Sequence, residues 1–161
     1  MAQSIQSEAD AFIKRYAALF SSPCCSSPDE AGQLADEVGK HYRPGVTFFT
    51  NGEISRFESQ SESARFVEGE MRKNIESGVG TRLDLLAIHK TEVYSPTSAL
   101  CWLEWEFVPK AGSEYGGKSW KFTNIYGYRA ATKESAAGWE FVVRDDEVNA
   151  FVQATGKTFE A

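Results

Sequence analysis

In the second half of the chain, a few polar side chains interrupt rows that are otherwise apolar when every second residue is read as one face of a strand. His89 lies in the row Leu83, Leu85, Ala87, His89 and Val93. Asn124, Tyr126 and Tyr128 follow Trp120 and Phe122, and Asp145 ends the row Trp139, Phe141 and Val143. Trp105 stands between Leu103 and Phe107, and Tyr16, on a helix near the N-terminus, is able to reach the same space. The chemistry these residue types allow is proton transfer. An imidazole titrates near neutral pH and a carboxylate serves as a general base, so His89 and Asp145 are the catalytic candidates. Tyr126 and Tyr128 offer hydroxyls to a developing enolate. Asn124 offers a donor and an acceptor, and burying its amide without a partner costs a few kcal/mol. Tyr16, Trp105, Asn124, Tyr126 and Tyr128 are thus the substrate-binding candidates.

Each candidate also has a structural reading. A histidine in an apolar row donates to a backbone carbonyl, an aspartate at a strand-to-helix junction caps the helix, and tyrosines at the rim of a core keep their hydroxyls wet. Asp146 competes with Asp145 for the cap. His41, at the end of a helix, suits the dipole there. The opposite rows carry Trp102, Glu104, Glu106, Ile125, Arg129, Val142 and Arg144 and are assigned to an outer face, solvated or dimer-forming.

The elements that position these residues are legible in caps and periodicity. Ser7-Glu-Ala-Asp10 reads as a capping box for a first helix through Phe12, Ile13, Tyr16, Leu19 and Phe20. A loop containing Cys24 and Cys25 follows, and Ser27-Pro28-Asp29-Glu30 opens a second helix with the stripe Leu34, Ala35, Val38 and Tyr42, stopped by Pro44-Gly45. Asn51-Gly52 is a two-residue hairpin turn between Val46–Thr50 and Glu53–Phe57. Ser59-Gln-Ser-Glu62 caps a third helix with Ala64, Val67, Met71 and Ile75 on one face. Four strands follow, Arg82–Val93, Ala99–Pro109, Ser119–Thr132 and Trp139–Asp145, with links short enough to force antiparallel pairing, and a short helix around Val148 and Phe151 closes the chain. The class expected is α+β: helices first, packed into an antiparallel sheet.

A length of 161 residues suits one domain, 1–161, with a core of its own. The net charge of −6 argues against a phosphate-backbone partner, and no apolar run approaches the ~20 residues that span a bilayer. The expectation is a cytoplasmic protein with neither nucleic acid nor membrane as partner. Cys24, Cys25 and Cys101 make an odd set without metal-ligand spacing, so neither a disulfide framework nor a metal is expected, and no cofactor is called for. At 13% the aromatic content is high enough to mean a heavily packed core or a cavity walled by rings.

Two helices, a hairpin, a third helix and four long strands, the last opening on Gly138-Trp139-Glu-Phe-Val-Val, resemble the nuclear-transport-factor-2-like superfamily, which includes SnoaL-like polyketide cyclases, ketosteroid isomerase, scytalone dehydratase and limonene-epoxide hydrolase. The resemblance spans roughly residues 7–153. It implies a cone: a strongly curved sheet around the first helix, an apolar pocket inside, and an outer face used for homodimers. It further implies a cofactor-independent isomerase, dehydratase or cyclase acting on an apolar oxygenated metabolite, with an acid late in the chain, positionally Asp145, as base. A ligand-binding or dimeric interaction module without catalysis is the alternative.

Overall fold

The computed structural model describes residues 4–22 and 27–157. Helix α1 (Ile5–Phe20) starts earlier than the sequence suggests, because Ser4 rather than Ser7 accepts the capping bond, from the Ser7 amide. Ser27 caps α2 (Pro28–Gly39) and Ser59 caps α3 (Gln60–Glu76), each by accepting the amide three residues on, as the capping sequences require. Glu62 also reaches back past the cap and accepts the Glu58 amide at 2.7 Å, one residue before Ser59. The adjacent cysteines 24 and 25 lie outside the described residues. Cys101 is free and buried, and burial pushes its thiol up to about 12.

The strands are β1 (Tyr42–Thr50), β2 (Glu53–Phe57), β3 (Leu83–Ser95), β4 (Ser98–Phe107), β5 (Trp120–Arg129) and β6 (Gly138–Val143), followed by α4 (Asp145–Thr155). Among the described residues they form one mixed sheet in the order β2-β1-β6-β5-β4-β3. The fold class is therefore α+β as expected, with one feature the periodicity hides. The hairpin joins the same sheet, because β1 pairs with β6 in parallel. Tyr42 accordingly belongs to β1, opposite Trp139, and not to the stripe of the second helix. Asn51 and Gly52 both take positive φ, 50° and 87°, the backbone that a two-residue hairpin turn needs.

The sheet curves because its register is interrupted. Along β3 the pairing with β4 shifts at three places, leaving Leu86, His89 and Tyr94 without an opposite residue. All three are exposed. A further shift between β5 and β6 leaves Glu140 extra. Each such insertion bends the strand and moves the residues beyond it to the other face. The helices fill the concave side. Phe12, Ile13, Tyr16 and Phe20 of α1 pack with Cys101, Leu103 and Trp105 of β4 and with Trp139 of β6 in one apolar core.

Candidate functional site

Register shifts in β3 and β6 decide which polar side chains face inward. In β3 the extra Leu86 reverses the phase, so that His89 falls on the convex side, where its Nε2 lies 2.9 Å from Glu104 and half of the side chain is exposed. The expectation that His89 shares the apolar inner row is corrected: Leu85, Ile88 and Thr91 face in, opposite Trp105, Leu103 and Cys101. In β6 the extra Glu140 does the reverse. Trp139 and Val142 face the inner residues Tyr128 and Tyr126, whereas Phe141 lies over Gly127 on the outer side. A Cβ on Gly127 would stand 2.3 Å from that ring, so the glycine makes room for it.

With the phase reversed, Arg144 points into the interior and is 3% exposed, which corrects its assignment to the outer face. Asp145 is turned away in its place. Its Oδ1 accepts the Asn51 amide at 2.7 Å and ties the hairpin turn to the start of α4, so it neither caps its own helix nor lines the cavity. Asp146 likewise accepts the Thr123 amide, at 2.7 Å. His41 lies at the end of α2, its Nδ1 3.0 Å from the Glu37 carbonyl, with burial lowering its pKa.

Between α1, α3, α4 and the concave face lies a cavity of about 90 Å³. Tyr16, Trp105, Asn124 and Tyr126, four of the residues picked out by their rows, line it. Tyr128 is buried but packs against Phe12 and Trp139 and is not part of the lining. The wall is largely aromatic, with Phe48, Phe66, Trp120 and Phe122 prominent. Those rings occupy much of the space between the helices and the sheet. The volume is well below the ~300 Å³ of common ligand pockets, and below the ~150 Å³ cavity that accepts benzene.

The polar end of the cavity is a chain of charged groups from α3, α4 and the β6–α4 junction. Arg144 Nη2 lies 2.8 Å from Glu70 Oε1, and Arg144 Nε lies 3.8 Å from Glu147 Oε2. Asn124 Nδ2 donates to the same Glu147 oxygen at 2.8 Å and to the Tyr126 hydroxyl at 3.4 Å. Asn124 is 3% exposed, and its Oδ1 has no hydrogen-bond partner among the described residues. Beside this chain the Tyr16 and Tyr42 hydroxyls meet at 2.6 Å. Burial raises the phenol pKa of Tyr16, Tyr42 and Tyr126, so all three are neutral donors. Burial also raises that of Glu70, against the opposing pull of Arg144. Burial alone would lower the Arg144 pKa, but the two glutamates together outweigh it and keep the guanidinium charged.

Glu70, Arg144, Glu147 and Tyr42 were not picked out by the sequence reading. A signal existed for two of them. Glu70 stands three residues after Val67 on the buried side of α3, and Phe141-Val142-Val143 breaks strict alternation where the register shifts. Among the described residues no group of three or more His, Cys, Asp or Glu could hold a metal ion.

No protein-family model and no curated protein matches the sequence. Solved structures do. A protein of unknown function with a cystatin-like fold from Nostoc punctiforme superposes with a TM-score of 0.62 over 89% of this chain and 77% of its own, at 10% identity. A nuclear-transport-factor-2-like protein of unknown function from Shewanella oneidensis gives 0.55 over 84% and 97%, at 11% identity. The chain has the nuclear-transport-factor-2-like fold. The β subunit of benzoate 1,2-dioxygenase from Burkholderia mallei is also similar, with a TM-score of 0.57 over 89% and 91% at 12% identity. Identities this low speak for the shared fold alone. No helix among the described residues is long and apolar enough to cross a membrane.

Proposed function

We propose that the protein is a cofactor-independent, cytoplasmic enzyme that transfers protons on a small oxygenated molecule held in this cavity. The observation that carries the reading is the pair of carboxylates, Glu70 and Glu147, on either side of one buried guanidinium. Two carboxylates and one arginine leave a negative charge in excess, and a desolvated cluster relieves it by holding one proton. Burial favours the protonated form of Glu70, against the pull of Arg144, and we assign Glu70 as the general acid. Glu147, oriented by Asn124 and Arg144, is the general base. In an isomerisation Glu147 takes a proton from the carbon beside a carbonyl while Glu70 gives its proton to the carbonyl oxygen. The enol so formed regains a carbon-bound proton when the two transfers run in reverse at the neighbouring position. In a dehydration the Glu70 proton leaves with the hydroxyl as water. Tyr126 hydrogen-bonds the developing oxygen charge. Asp145 and His89, placed elsewhere, take no part in this scheme.

A second reading is favoured by the small volume of the cavity: a module without catalysis that holds a small ligand or forms a homodimer. In either reading the outer face, where Trp102 and Ile125 pair across β4 and β5 and Val143 pairs with Ile125, is the surface we assign to a homodimer. Solvent deuterium exchange into a panel of small ketones and aldehydes, followed by NMR, separates the two readings. Exchange above the buffer rate is expected, and Glu147→Gln and Glu70→Gln should each slow it by about 10²–10⁴-fold. Exchange no faster than buffer across the panel leaves the binding module.

A further inference from the structure

Strand β6 lies between β1 and β5 and ends before either of them. Its last residue, Val143, pairs with Phe49 on one side and with Ile125 on the other. Beyond that rung the two neighbours continue, β1 into the Asn51-Gly52 turn and β5 through Asn124 and Thr123 towards Trp120. Their backbone groups there have no residue of β6 opposite them. The residues that follow β6 satisfy those groups instead. The Arg144 amide donates to the Phe49 carbonyl at 3.0 Å. Asp145 Oδ1 then accepts the Asn51 amide and Asp146 Oδ2 accepts the Thr123 amide, both at 2.7 Å. The two aspartates suit the positive end of the α4 dipole, yet neither caps that helix, which has no side-chain cap of its own.

Three consecutive acids therefore point three ways, as residues about 100° apart around a helix must. Asp145 holds the turn after β1, Asp146 holds β5, and Glu147 turns inward, where it accepts from Asn124 at 2.8 Å. Consecutive residues of β5, Thr123 and Asn124, thus meet consecutive residues of α4, Asp146 and Glu147. The first of these rungs is exposed at Asp146, whereas the second lies at the cavity. Neither Asp145 nor Asp146 lines the cavity, so neither touches a ligand there. At its other end α4 is held by the Tyr115 hydroxyl, which donates to the Thr155 carbonyl at 3.2 Å. We infer that Asp146 is a positioning residue: its bond to the Thr123 amide fixes the first turn of α4 over β5 and so brings the Glu147 carboxylate to Asn124. The inference rests on the proton-transfer reading, in which Glu147 is the base. A base moved by about 1 Å can lose about 10²-fold in rate.

The test compares Asp146→Ala with Asp146→Asn in the full chain. Both remove the same charge, but only the alanine removes the acceptor, because an amide oxygen takes a backbone hydrogen bond as a carboxylate does. Asp146 is exposed, so both variants are expected to fold. The first readout is the NMR signal of the Asn124 side-chain amide, with Glu147→Ala marking the broken contact. In Asp146→Ala the signal should move most of the way to that mark, and in Asp146→Asn it should stay near the parent. Tyr115→Phe, which frees the far end of α4, should leave it in place. The second readout is the deuterium exchange proposed above, where Asp146→Ala should lower kcat by about 10–10²-fold at an unchanged KM and Asp146→Asn should restore it. Equal Asn124 signals in the two Asp146 variants overturn the inference. So does an equal displacement in Tyr115→Phe, which would mean that any loosening of α4 suffices. Without exchange in the parent the proton-transfer reading fails, while the amide signal still decides the placement. A moved signal at an unchanged kcat would keep the placement and remove Glu147 as the base.

Discussion

Two arginine–glutamate groupings sit on opposite faces of one sheet, and they are built from nearly the same parts. Outside, Arg129 donates to Glu140 through two hydrogen bonds of 2.7 and 3.1 Å, and both side chains are 31% exposed. Inside, Arg144 meets Glu70 at 2.8 Å and is 4% exposed, with Glu147 as a second carboxylate. The outer pair has the better geometry, yet water screens it and the unfolded chain loses little by giving it up. The inner group has been taken out of water, and its members depend on one another for solvation. The same chemistry is a solvated surface pair on one face and a buried, mutually dependent group on the other.

The largest effect that distinguishes them is loss of the inner arginine. Arg144→Met keeps the length of the side chain but leaves two carboxylates in an apolar cavity. Breaking a buried pair in this way costs about 3–5 kcal/mol, which chemical denaturation will read as a lower midpoint at an unchanged slope. Combining it with Glu147→Gln should return part of that loss, because the carboxylate left charged is removed together with its partner. If the two effects simply add, the groups are not coupled and the charge argument for the site fails.

A smaller effect follows from the proton held in the cluster. Burial raises the Glu70 pKa, with Arg144 opposing, and Glu147 and Lys73 also act on it. A raised pKa means that the folded protein binds this proton more tightly than the unfolded chain does. The stabilisation is complete below the ordinary carboxyl range and is lost as the pH rises through the raised value. Glu70→Gln imitates the protonated form at every pH. Thermal melts across a pH series should therefore show the variant gaining on the parent as the pH rises from the ordinary carboxyl range. The opposite trend would mean that the ion pair with Arg144 outweighs burial, and would remove Glu70 as the acid.

The elements of the fold were legible in the sequence for local reasons. Ser27 and Ser59 cap the helices they precede, Asn51-Gly52 makes its turn, and Gly156 ends α4 with φ of 66°. The row through Trp120, Phe122, Asn124 and Tyr126 was legible too, because β5 keeps an unbroken register with β4 and every second residue stays on one face. The candidate site was legible only as far as that regularity reached. In β3 and β6 one inserted residue reverses the faces, so strict alternation brought His89 and Asp145 inward and sent Arg144 out. The sequence marks both places with apolar runs, Leu85-Leu86-Ala87-Ile88 and Phe141-Val142-Val143, but a run alone does not say where the extra residue falls. That is settled by tertiary contacts, such as the ring of Phe141 over Gly127.

The smallest effect belongs to the outer pair, and it completes the contrast. Arg129→Met removes a guanidinium that also donates to Thr97 at 3.0 Å, yet everything it leaves behind remains in reach of water. The expected cost is about 0–1 kcal/mol, and salt should erase most of it, because a screened surface pair weakens with ionic strength while the inner group does not. Denaturation of Arg129→Met and Arg144→Met at low and high salt will place the two arginines on one scale. A salt-insensitive loss of several kcal/mol at Arg129 would mean that the outer face is itself covered in solution, the result expected if a second copy of the chain packs against Trp102 and Ile125. A dimer would then explain why two hydrogen bonds are kept on a face that otherwise gains so little from them.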